Sequence, residues 1–303
     1  MSRPWRTWRS VAYFALVVIA MALVVHWWSE LAAIWSEQAL TFVGAIVIMS
    51  CGTLVQARNF LAFLETPARL RVWRFVSVWA WGALANYVVP LQTGGIAIRV
   101  AWLGRHKVSM ADSLLATWRQ LALSLWVALA GLTLGLLLVD DPHGRWPAFV
   151  LFLLWLAVLL MRKLWLKWLD NITHPAWLAS RKQLMHRAVT GLTPGGLMGV
   201  VAQYVLGTLL LYWVYAGFDA SIGFGQALIL ACLVYASSLI SILPGNLGVT
   251  EAIYMLGGRG FGLDLAQAGA LAILIRAAHI VTNLLIALVG MRFGGDGFGA
   301  GRE

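Results

Sequence analysis

An apolar run from Phe224 to Leu256 is interrupted once, by Pro-Gly-Asn-Leu-Gly-Val-Thr-Glu at 244–251. Runs of this length cross bilayers as helices. Inside hydrocarbon a helix break exposes backbone groups that nothing solvates, so it is tolerated only where protein or a wet cavity covers it. A proline and two glycines followed by a carboxylate therefore read as a built discontinuity, the kind that marks a transport site. A second one, Pro90 to Gly95, lies between the apolar stretches Phe75–Val89 and Ile96–Leu103.

The rest of the chain is written in the same language. Of 303 residues 61% are hydrophobic and 11% charged, the profile of an all-α polytopic membrane protein. A β-barrel would alternate over ten-residue segments, and these runs are continuous. No polar stretch is long enough to build a soluble catalytic domain. The net charge of +10 would suggest nucleic acid in a soluble protein. Here it reads as basic loops facing anionic headgroups, so the membrane and phospholipid are the expected partners and nucleic acid is not. Cys51 and Cys232 both lie in apolar runs and read as helix-packing residues.

Taken in order, the runs predict about six full transmembrane helices: 11–28, 39–57, 111–139, 147–160, 197–218 and 265–291. Residues 11–28 follow three arginines with no small-residue cleavage site after them, and read as a retained helix rather than a signal peptide. The two broken segments are predicted as re-entrant hairpins. The first dips from the cytoplasmic side, turns at 90–95 and returns. The second, 224–262, does the same from outside. A basic, tryptophan-rich linker over 162–191 is expected along the membrane surface, and 294–303 is expected to be a flexible tail.

This layout separates the charges. Arg145 and Arg259 fall outside, Arg99, Arg119 and Arg276 fall within apolar segments, and the other seventeen Lys and Arg fall on the cytoplasmic side. That asymmetry predicts a multi-pass membrane protein with both termini cytoplasmic. The single transmembrane domain, 1–293, then contains two halves of opposite sense, about 39–139 and 197–291. Each is a helix, a dip and a helix, which makes an inverted-topology repeat.

The stretch Pro-Gly-x-Leu-Gly-Val-x-Glu at 244–251 resembles the signature of the lysylphosphatidylglycerol synthase transmembrane family. Asn86, Pro90, Gly94 and Arg99 are similar to its other motif, and Arg119 and Arg276 fall where the family often carries arginines. The resemblance runs from about Val11 to Met291 and implies a bacterial-type inner membrane. Three positions depart from it. Thr250 stands where an arginine usually precedes the glutamate, Gly95-Ile96 where an acid is common, and Trp118 where a glutamate often precedes the arginine. Each departure removes charge. The resemblance implies lipid handling: fused members aminoacylate phosphatidylglycerol with a soluble domain and translocate it with the membrane part. Without a soluble acyltransferase domain, synthase activity is not expected of this chain.

A charged group inside a membrane is expensive, so each one here needs an account. Glu251 reads as a carboxylate for a cationic headgroup, a proton or an arginine; the alternative is a cap on the helix that follows the break. Arg99, Arg119 and Arg276 read as phosphate contacts, since a guanidinium presents a planar fork of donors. The alternative is an internal ion pair with Glu251. Gln92, Thr93 and Asn246 sit in the breaks and either hydrogen-bond a headgroup or satisfy local backbone. His279 shares a helix face with Arg276 and reads as a packing histidine or a proton relay. Pro90, Gly94, Pro244, Gly245 and Gly248 make the breaks themselves. No metal-ligand cluster, nucleophile triad or phosphate loop is visible, so neither metal nor cofactor is expected. The function these readings predict is a lipid translocase, or flippase-like transporter, binding an anionic or aminoacylated phospholipid near mid-membrane. The rival reading is the membrane subunit of a lipid-modifying enzyme with a separate soluble transferase partner.

Overall fold

The computed structural model describes residues 36–65, 70–89, 92–139, 146–157, 193–239 and 244–293. The expected helix 11–28, the linker 162–191, the tail 294–303 and Pro90 lie outside them. The chain divides into a unit ending at Leu40 and one beginning at Thr41, and the architecture that follows is that of the second.

The described residues contain helices and no strand. Among the described residues four helices are long and apolar enough to cross a membrane: α1 (Ala39–Ala62), α4 (Met110–Leu138), α6 (Pro194–Gly217) and α9 (Leu265–Phe293). Only 22% to 39% of their most apolar windows is buried, so most of each surface is left for lipid. Val43 and Val47 on α1, or Leu134, Leu137 and Leu138 on α4, would be an aggregation hazard in water. In a bilayer they face their proper solvent. Shorter helices lie between: α2 (Val72–Asn86) and α3 (Thr93–Arg105), α5 (Trp146–Ala157), α7 (Phe224–Leu239) and α8 (Val249–Gly260). A 3-10 turn, Pro244–Asn246, precedes α8.

Local chemistry sets several ends. Ser109 Oγ accepts from Asp112 N at 3.0 Å and starts α4. Thr193 Oγ1 accepts from Gly196 N at 3.1 Å and starts α6, with Pro194 in the first turn. Helix α1 continues past the Ala57 expected from the sequence, because Arg58 is exposed and does not stop it.

Helices α2 and α3 fold back on each other as a hairpin. Their backbones meet at Gly82 and Gly95, where a Cβ on Gly95 would come within 2.9 Å of the Gly82 carbonyl oxygen. Asn86 Oδ1 accepts from Gly95 N at 2.7 Å and ties the two limbs together. An aromatic core fastens this hairpin to α1: Phe60 stacks on Phe75 at 5.5 Å, and Phe75 meets Trp102 at 5.7 Å.

The two broken segments pack reciprocally. Helix α2, from the first hairpin, lies against α9; helix α7, from the second, lies against α4. Small residues allow both approaches. Ser77 Oγ donates to Ala287 O at 3.1 Å, beside Gly290. Gly131 leaves room for Cys232 Sγ, and Gly135 for Ile229 and the backbone of Gly225. Cys232 is thus a packing residue, whereas Cys51 is exposed and the packing expected of it does not occur.

Candidate functional site

The turn between α7 and α8 carries three left-handed residues close together: Gly245 (φ 59°), Asn246 (φ 56°) and Gly248 (φ 86°). That geometry redirects the chain just before α8, and Glu251, in the first turn of that helix, reaches back to its N-cap residue. Its Oε2 accepts from Gly248 N at 2.8 Å. Its Oε1 accepts from Arg276 Nε at 2.6 Å and also contacts Arg276 Nη2. Arg276 Nη1 donates to Gly245 O at 2.9 Å. One arginine on α9 therefore grips the turn at a carboxylate and at a carbonyl. Both side chains keep some access to their surroundings, with 18% and 24% of their surfaces exposed.

The tip of the first hairpin completes the site. Tyr87 lies against Gly245, where a Cβ would come within 2.7 Å of Tyr87 Cδ1. Its ring lies under the Arg276 guanidinium at 5.1 Å, and its hydroxyl hydrogen-bonds His279 Nδ1 at 2.6 Å. Gln92 Nε2 donates to Ser238 O at 2.5 Å, a second stitch between the two tips. Asn246 Nδ2 donates to Ser237 Oγ and Thr250 Oγ1, each at 2.9 Å, and is occupied within its own hairpin. Thr93 is exposed in the first turn of α3, and Gly94 is buried against Ala85. Pro244 is buried where the turn begins.

Of the residues singled out from the sequence, Glu251, Arg276, His279, Gln92 and the second break come together here. Arg119 stands in a different cluster. It is 3% exposed on α4, where Nη1 donates to Phe63 O at 3.0 Å and Nη2 to Glu65 Oε1 at 2.6 Å. Asp112 Oδ1 accepts from Glu65 N at 2.9 Å, so the cluster pins the end of α1 to the start of α4. Arg99, on α3, rests on aromatic faces. Its guanidinium lies 4.4 Å from the Trp79 ring centre and 5.6 Å from that of Phe60. Its Nε is buried with no hydrogen-bond partner, and among the described residues no carboxylate stands within ion-pair distance.

Two members escaped the sequence reading. Tyr87 is three residues before Pro90, and an aromatic hydroxyl beside a helix break was the available signal. Glu65 is the one acid between Arg58 and Arg74, which marks it as a partner for some arginine. Trp118 is 62% exposed, so the helix face beside Arg119 offers an apolar ring to the surroundings. Among the described residues no group of three or more His, Cys, Asp or Glu is arranged to hold a metal ion.

A family model described as the lysylphosphatidylglycerol synthase TM region matches residues 11–287. Neither the curated proteins nor the solved structures offer a match.

Proposed function

The chain belongs to the lysylphosphatidylglycerol synthase transmembrane-region family, and from that premise we propose that it is a phospholipid translocase of the flippase-like kind. Its substrate is an anionic or aminoacylated phospholipid, bound where the two hairpin tips meet. The carrying observation is the Glu251–Arg276 pair at that junction, partly accessible and held against Tyr87 of the opposite hairpin.

Helix length supports re-entrant hairpins. The three limbs with both ends among the described residues have 15, 13 and 12 residues. At 1.5 Å per residue they reach about 18–23 Å, short of the roughly 30 Å hydrocarbon core. The reciprocal packing of α2 on α9 and α7 on α4 supports an inverted repeat of α1–α4 with α6–α9. The site then lies between halves that can rock against each other.

The residues divide the work by their partners. Glu251 and Arg276 neutralise each other in the state described here. Separating them offers a carboxylate to a headgroup ammonium and a guanidinium to its phosphate. Arg99, with no carboxylate partner among the described residues, is the cation we assign to the phosphate. Arg119 is committed to Glu65 and Phe63 O, and we assign it to fixing α1 on α4.

The test is transport of fluorescent phospholipid in vesicles reconstituted with the purified protein. The wild-type protein is expected to move lipid between leaflets, with Glu251→Gln and Arg276→Gln each slowing it about tenfold or more, as loss of a charge-assisted pair implies. A wild-type protein that moves no lipid overturns the reading. Variants as fast as wild type remove the ion pair from it.

A further inference from the structure

We infer that the junction of α1, α6 and α7 is an uncharged hydroxyl-binding site within the membrane, filled by water or by the hydroxyl of a lipid headgroup. It uses none of the side chains assigned to the tip junction and does not depend on lipid transport.

Asn59 of α1 is 3% exposed, and neither its Nδ2 nor its Oδ1 has a hydrogen-bond partner. It is seated in the hollow over Gly199 of α6, where a Cβ would collide with it, so it is held against that helix. Gln203 is four residues further along α6, on the same face. It is 6% exposed and its Oε1 has no partner. The Tyr235 hydroxyl of α7 faces the side chains of Gln203 and Gln56, and donates to Gln203 O at a long 3.3 Å. Tyr204 packs its ring on Tyr235 at 4.6 Å, with its own hydroxyl already given to Ser124 O at 2.8 Å.

An amide donor and two amide acceptors are therefore buried without partners about one helical turn apart along the seam of α1 and α6. Such groups are costly in hydrocarbon, where nothing else solvates them. The occupant that satisfies them must both donate and accept. An ammonium only donates and a carbonyl or phosphate oxygen only accepts, whereas a hydroxyl does both. The residues named carry no charge, so nothing recruits an ion. Buried water in proteins is held by two to four polar groups of this type.

The test is hydroxyl-radical footprinting by X-ray radiolysis, read by mass spectrometry on the full chain in lipid-free detergent micelles. Radicals born from bound water oxidise the side chains beside it. Tyr204 and Tyr215 are comparably buried, at 3% and 0% exposure, and Tyr215 already donates to Tyr254 O. The expected result is oxidation of Tyr204 at least fivefold faster than Tyr215, falling at least fivefold in Asn59→Leu. Adding phosphatidylglycerol, but not phosphatidylcholine, then protects Tyr204 if the hydroxyl comes from a headgroup; no protection by either assigns it to water. Both outcomes uphold the site. Equal oxidation of Tyr204 and Tyr215 in the wild-type protein overturns it, and so does unchanged oxidation in the variant. Should Asn59→Leu fail to fold, Gln203→Leu carries the same reading.

Discussion

Arg276, Arg119 and Arg99 carry the same side chain into three different surroundings, and those surroundings separate their roles. Arg276 is shared between a carboxylate, a carbonyl and the face of Tyr87. Arg119 is buried against Glu65. Glu65 keeps 33% of its side chain exposed and Arg119 keeps its bond to Phe63 O, so losing Glu65 costs less than breaking a fully buried pair, about 1–3 kcal/mol. Glu65→Ala is accordingly expected to destabilise the protein by a few kcal/mol in detergent unfolding, while the folded fraction keeps its lipid binding. Arg99 behaves in the opposite sense, because no carboxylate is lost with it. Arg99→Gln is expected to leave stability in lipid-free micelles unchanged or higher. It should lose at least tenfold in retention of anionic phospholipid, measured by native mass spectrometry. Arg99→Lys should lose less, keeping the charge without the planar fork.

At the scale of elements, the hairpins depend on backbone shape at a few points. Gly245 combines φ 59° with the close approach of Tyr87. A side chain there strains the turn by about 1–2 kcal/mol and pushes Tyr87 off it. Gly245→Ala should therefore lower stability measurably, whereas Gly260→Ala, with open space around it, should not. Helix approach can be tested by chemistry. A Cβ at Gly131 falls 2.6 Å from Cys232 Sγ, close to the reach of a disulfide. In a background without Cys51, Gly131→Cys should form a bond to Cys232 under mild oxidation, seen as loss of both free thiols by mass spectrometry. Two free thiols would place α4 and α7 further apart than described.

For the whole molecule, transport as proposed requires halves of opposite sense. Reciprocal packing of each hairpin's first limb on the last helix of the other half is what an inverted repeat produces. If the dips enter from opposite faces, their bases lie on opposite sides of the membrane. Lys107, after the first hairpin, and Asp264, after the second, are both exposed. Cysteines at these positions, in a background without Cys51 and Cys232, should react with an impermeant thiol reagent from opposite sides of sealed vesicles. Labelling of both from one side would remove the inverted arrangement.

The sequence by itself determined the apolar helices, the two breaks and the presence of three arginines and a glutamate among them. Each of these is a local property: hydropathy over some twenty residues, or a proline and glycines at a turn. It placed the charges but not their partners. Glu251 and Arg276 are 25 residues apart, Glu65 and Arg119 are 54 apart, and Tyr87 and His279 are 192 apart. Such pairs form only because helices of different segments are packed side by side. Glu65 could be recognised as a lone acid among arginines, yet nothing local said that Arg119 would take it and leave Arg99 to the aromatic rings. Only the tertiary structure decided that, because in a membrane a buried charge is settled by whichever counter-charge the packed helices bring within reach.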